Sequence, residues 1–177
     1  MYNVNDTIIA VSSGATPSIK KIIRISGDKT FEILKSFFER DFEKKKKITT
    51  FIAHIDGLEI ECRVYLFCSP NSYTGEDIAE IHICGCDEII ELIFSNLLSL
   101  GCRGALAGEF TYRAYVNGKM DLSGAEAVAL MIESSNQYQL MAAQKLFGGS
   151  IEKKAGKIRQ DILELLSMIE ADRKSVV

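Results

Sequence analysis

The sequence predicts an α+β fold: a small mixed sheet with helices, followed by an all-helical segment. Three observations carry that expectation. Up to about residue 100, short β-rich runs alternate with helical stretches, the pattern of a layered sheet and helices. Asp56-Gly57 joins two alternating apolar runs within residues 48–68, and this dipeptide tolerates the positive φ of a type I′ hairpin turn. After residue 105 no strand-like alternation survives, and helical periodicity continues to the end.

Taken in order, DTIIAV (6–11) and KKIIRIS (20–26) read as strands separated by the small-residue loop SSGATPS. Asp28 is placed to cap a helix whose Phe31, Leu34, Phe37 and Phe38 share one face. The 48–68 hairpin follows. DIAEIHIC (77–84) is a further strand, leading into the helix DEIIELIFSNLLSL, which stops at Gly101. Leu122, Ala125, Val128 and Ile132 form an apolar stripe on the next helical stretch. Residues 136–174 read as one long helix interrupted near Gly148-Gly149. Within it Ile151, Ala155, Ile158, Ile162, Leu165 and Ile169 alternate spacings of four and three, a coiled-coil-like seam widened by Leu163 and Leu166. That seam needs a partner surface. The domain organisation expected is 1–118 and 119–177.

The 177 residues, 47% apolar and 25% charged, describe a folded chain rather than a disordered one. With 21 Lys and Arg against 24 Asp and Glu, the net charge of −3 gives no case for nucleic-acid binding by the whole surface. No apolar run approaches bilayer length, and the start MYNVND lacks the regions of a signal peptide, which points to a cytoplasmic protein without a membrane role. Five cysteines, an odd number without CxxC spacing, read as free thiols.

GxxxxGK[ST], GxGxxG and HExxH are all absent, so no GTP binding or hydrolysis is expected of this stretch of chain. His54 and His82 leave little room for a catalytic triad. His82, Cys84 and Cys86 alternate at a strand end as three potential zinc ligands, but a fourth is missing, and the preferred interpretation is packed thiols with no metal. Glu80 stands mid-strand among apolar residues, where a carboxylate can accept two parallel hydrogen bonds from an amidine-like edge such as a pterin; solvent exposure is the simpler explanation. Arg24 sits likewise inside KIIRIS, able to clamp a carboxylate ligand or to pair with a neighbouring acid. Lys119 lies on the Gly turn of VNGKMDL, within reach of an anion or simply solvated. Lys44 to Lys47 form a charge run whose simplest account is a solvated loop, with an RNA backbone contact as the alternative.

DTIIA (6–10), IIRISG (22–27), PNSYTGEDIAEIH (70–82), GEFTYRAYVNGKMDLSGAEAVALMI (108–132) and QKLFGGSI (144–151) together resemble the MnmE/TrmE family of tRNA-modification GTPases. The resemblance covers that family's amino-terminal folate-binding domain, itself similar to the tetrahydrofolate domain of the glycine-cleavage T-protein, and the start of its helical domain. It implies binding of a 5-formyl-tetrahydrofolate-type carrier through Arg24, Glu80 and Lys119, and a homodimer made by the amino-terminal domain. It also implies partnership with an MnmG-like flavoprotein and a separate GTPase domain in wobble-uridine modification, with direct tRNA contact left open. Departures are SSGATPSIKK in place of a Pro- and Gly-rich loop, Ala107 where the family carries Pro, and His82-Ile83-Cys84-Gly85-Cys86 in place of HCHGG. The family's GTPase domain and its carboxy-terminal Cys motif are not in this sequence, so no autonomous activity is expected. The leading expectation is a folate-binding and dimerisation module. The competing ones are a non-catalytic assembly platform with a decayed pocket and a stand-alone folate enzyme of the aminomethyltransferase type.

Overall fold

A computed structural model of the chain describes residues 6–13, 20–148 and 150–175. The chain divides into two compact units, Met1–Lys119 and Met120–Val177. The first holds β1 (Ile8–Val11), β2 (Lys20–Ser26), α1 (Thr30–Phe38), β3 (Lys47–Ile55), β4 (Leu58–Phe67), β5 (Ile78–Cys84), α2 (Asp87–Ser99), β6 (Arg103–Gly104) and α3 (Glu109–Val116). The strands form one sheet in the order β3-β4-β5-β2-β1-β6, antiparallel throughout except for the parallel β1–β6 pair. The expected α+β class is what the chain adopts.

Period-two alternation sorts the strand residues onto two faces. Ile9, Ile23, Ile25, Cys62, Val64, Ile81 and Ile83 point to one of them and pack with Ile33, Leu34, Phe37 and Phe38 of α1 and Ile90, Ile93 and Leu97 of α2. Each such aliphatic side chain removed from water contributes about 1.5 to 3 kcal/mol. The hairpin turns where the sequence places it: Asp56 and Gly57 have φ of 50° and 79°, and Ile55 pairs with Leu58. Asp28, in contrast, does not cap α1. The N-cap is Lys29, whose ammonium has no acceptor to offer as a cap; its amide donates to Thr7 Oγ1 at 3.1 Å, and the turn closes from Thr30 N to Gly27 O. The two-residue β6 precedes residue 105, after which no strand is expected, and the sequence pattern does not predict it. Its length leaves no alternation to detect.

In the second unit α4 (Leu122–Glu133) packs on α5 (Gln137–Phe147), and α6 (Ser150–Ser175) follows. Asp121 Oδ1 accepts from Gly124 N at 2.6 Å and Asn136 Oδ1 from Gln139 N at 3.0 Å, so both helices start on side-chain caps. The expected stripe on α4 is not the packed one: Leu122 and Ile132 are exposed, and the buried positions are Gly124 and Ala127, with Ala143 on α5. Small residues let two helix backbones approach, and periodicity of large apolar residues does not register them. Of the α6 seam, Ile158, Ile162, Leu165 and Ile169 are all more than half exposed. Ile151 lies outside the residues whose side chains are described, as do residues 14–18 of the SSGATPS loop. No helix among the described residues is long and apolar enough to cross a membrane.

Candidate functional site

The second face of the sheet carries polar side chains in cross-strand rows. One row runs Ala10, Arg24, Glu80, Tyr65, Ile48, and the next Ile22, His82, Arg63, Thr50. Directly opposed residues on neighbouring strands stand close enough to interact, so register alone makes Arg24 and Glu80 neighbours. Arg24 donates to Glu80 Oε1 from Nε at 2.9 Å, its Nη2 forms an ion pair with the same oxygen at 2.7 Å, and its guanidinium lies 5.7 Å from the ring centre of Phe110 on α3. Both partners are half-buried, the arginine side chain 30% exposed and the glutamate 19%. Glu80 Oε2 faces His82 Nε2 at 3.4 Å, and the His82 ring stacks on Tyr65 with centroids 4.4 Å apart. Beyond them a cavity of about 530 Å³ is lined by Lys20, Arg63, Tyr65, His82, Cys84 and Ile89, among others.

Two of the three expected site residues are thus brought together. Lys119 is placed elsewhere: its Nζ donates to Pro70 O at 2.9 Å, and it makes no hydrogen bond or ion pair with Arg24 or Glu80. Asn117 Nδ2 donates to Thr74 O at 2.7 Å, so the turn before α4 is fastened to the loop before β5 at two points. That loop is held in turn by buried Asp77, which accepts from Ser69 N at 2.8 Å and from Lys44 at 2.6 Å. Lys44 itself stays exposed to solvent, as expected of the charge run, and the Asp77 carboxylate beside it raises its pKa. Lys45 pairs with Glu43.

A second cluster escaped sequence reasoning. Arg113, fully buried on α3, donates to Asp6 Oδ1 at 2.6 Å, to Glu76 Oε1 at 3.1 Å and to Glu109 Oε1 at 3.3 Å, while Arg103 donates to Asp6 Oδ2 at 2.6 Å and to Glu109 Oε1 at 2.5 Å. Ser26 Oγ joins it, donating to Glu76 Oε2 at 2.6 Å. The arginines hold Asp6 below the usual carboxylate range, first through the Arg103 hydrogen bond. Burial pushes the Glu109 carboxyl up, and the bonds from Arg103 and the Leu106 amide outweigh it, so the net shift is downward. The visible signal was the i,i+4 spacing of Glu109 and Arg113. Asp6 and Arg103, 97 positions apart, share no local pattern. This cluster fastens α3 to the strand ends.

His82 lies in the row next to that of Glu80, and among the described residues no group of three His, Cys, Asp or Glu can hold a metal ion. Burial pushes the Cys62 thiol up to about 12 and the Cys102 thiol to about 11, whereas Cys84 and Cys86 are exposed.

The family described as "GTP-binding protein TrmE N-terminus" matches residues 7–119. The chain belongs to this family. The match spans β1 to the Lys119 turn and so contains the whole Arg24–Glu80 row. Relatives of the TrmE family include the tRNA modification GTPase MnmE of Leptospira biflexa, 37% identical over 177 residues and covering 94% of this chain. That of Flavobacterium johnsoniae is 40% identical over 174 residues, again 94% of this chain, and that of Aquifex aeolicus 34% over 172 residues, 96% of this chain. The chain spans 38%, 37% and 38% of these relatives' own lengths.

Proposed function

We propose that the chain binds a reduced folate of the 5-formyl-tetrahydrofolate type at the Arg24–Glu80 pair, and that it does so as a module of tRNA wobble-uridine modification. The observation that carries the proposal is the pair itself: a half-buried carboxylate and guanidinium opposed on the second face of the sheet, beside an aromatic stack and a cavity. A carboxylate has about four lone-pair sites. Arg24 holds Oε1 through its Nε bond and its Nη2 ion-pair contact, so a ligand edge with two parallel N–H donors, such as an aminopyrimidinone, competes with Arg24 for that oxygen. The released guanidinium is then a donor for a carboxylate or formyl oxygen of the same molecule. Lys119 is the further cation, once it leaves the Pro70 carbonyl. The bound folate supplies a one-carbon unit.

Membership of the TrmE family and the naming of the relatives as tRNA modification GTPases support the wider role. In it the chain forms a homodimer and works with a GTPase domain and an MnmG-like flavoprotein. Titration calorimetry with 5-formyl-tetrahydrofolate tests the binding step. The intact chain is expected to give saturable heat, and Glu80→Ala to lose about 1 to 3 kcal/mol through the missing charge-assisted bonds. Absence of heat, or equal affinity in the variant, sinks the proposal in favour of an assembly platform.

A further inference from the structure

The Arg24 Nε bond and the Nη2 ion-pair contact converge on one oxygen of Glu80. They pin a point and leave the carboxylate plane free to turn, because the terminal torsion of a glutamate is broad. A two-donor ligand edge needs that plane held. The remaining oxygen, Oε2, has a single neighbour among the described residues, His82 Nε2 at 3.4 Å. The His82 ring is itself held from β4 by the stack on Tyr65, at 4.4 Å and 38° between planes, and Tyr65 is the register partner of Glu80.

Resting on the folate proposal, we propose that His82 is the positioning residue of Glu80: its Nε2–H donates to Oε2 and sets the carboxylate plane for the ligand. Only a ring with a proton on Nε2 does this; a bare Nε2 would set two lone pairs against each other. At 3.4 Å the contact is longer than a settled N–H···O bond of about 2.7 to 3.2 Å, since Arg24 draws the carboxylate toward β2. When the ligand displaces Arg24, the carboxylate stays with His82. Tyr65 does for the ring what the ring does for Glu80.

Nitrogen-15 NMR of the histidine-labelled full chain, assigned with His82→Gln, reads the tautomer without any ligand. A protonated Nε2 whose signal moves in Glu80→Gln is expected, and a bare Nε2 overturns the proposal. Binding of 5-formyl-tetrahydrofolate supplies the second readout. His82→Phe keeps an aromatic ring against Tyr65 but removes the donor, and is expected to weaken binding about tenfold, the worth of one charge-assisted bond. His82→Gln restores a donor and recovers affinity to within about threefold. Equal binding by wild type and His82→Phe overturns the His82 role while leaving the folate proposal standing. A wild type that binds no folate overturns both. Should His82→Phe fail to fold, the tautomer and the glutamine variant still decide.

Discussion

Glu109 is a carboxylate without exposed surface, held by two guanidinium groups and by the Leu106 amide at 2.8 Å. Taking a charge out of water is costly, and the cost is offset here only because its partners are in place. Glu109→Gln leaves Arg113 buried beside a neutral amide. It is expected to destabilise the fold by about 3 to 5 kcal/mol, read from the urea midpoint. The same carboxylate contributes a pH dependence. Asp6 and Glu109 both titrate below their ordinary range in the folded chain, so the unfolded chain binds protons first as pH falls. Their stabilisation is fully present above the unfolded value of about 4 and is lost as pH drops below it through the lowered folded values. Wild-type stability should therefore fall steeply below about pH 4, and less steeply in Glu109→Gln. Parallel acid limbs for the two proteins would show that the cluster does not carry the effect.

At the scale of elements, the β2–α1 connection depends on a close approach. Gly27 has a φ of 139°, and a Cβ there would stand 2.7 Å from both Thr7 Cα and Thr7 Oγ1. Thr7 cannot yield freely, because Oγ1 holds the Lys29 amide that starts α1 and the Thr7 carbonyl accepts from Arg103 N at 2.9 Å. Gly27→Ala is expected to cost about 2 to 4 kcal/mol, combining backbone strain with overpacking. A melting temperature within a degree of wild type would show that the turn relaxes. Glycine in IIRISG thus has a reason that lies in the neighbouring stretch of chain just before β1, where strand spacing does not look. The hairpin is the opposite case: Asp56-Gly57 acts through its own dihedrals, and the same two letters suffice to place it.

For the whole molecule, the expectation of association rests on the α6 seam. Ile158, Ile162, Leu165 and Ile169 present four large aliphatic side chains to water on one helix. Covering each would contribute up to about 1.5 to 3 kcal/mol, against about 0 to 1 for a surface ion pair. Sedimentation at micromolar concentration is expected to find a species larger than a monomer. Ile162→Asp should shift it toward monomer if the helices carry the contact and spare it if the amino-terminal unit does. A clean wild-type monomer would remove the homodimer from the proposed function.

By itself the sequence determined the α+β class, the span of β2, the hairpin and its turn, and the break between α5 and α6. All of these follow from local dihedral preference and the two periods of hydrophobic burial. It also singled out Arg24 and Glu80 as polar residues in apolar strands. Only the tertiary structure decided that they face each other, because their meeting depends on the register of β2 against β5, 56 positions apart. The same holds for His82 and Tyr65 behind Glu80, for the lysine at 119 that binds a loop carbonyl instead, and for the Asp6–Arg103–Glu109–Arg113 cluster. Apart from the i,i+4 spacing of Glu109 and Arg113, these charged pairs carry no periodicity, and their partners are chosen by how the strands and α3 are brought together, which no local stretch of chain encodes.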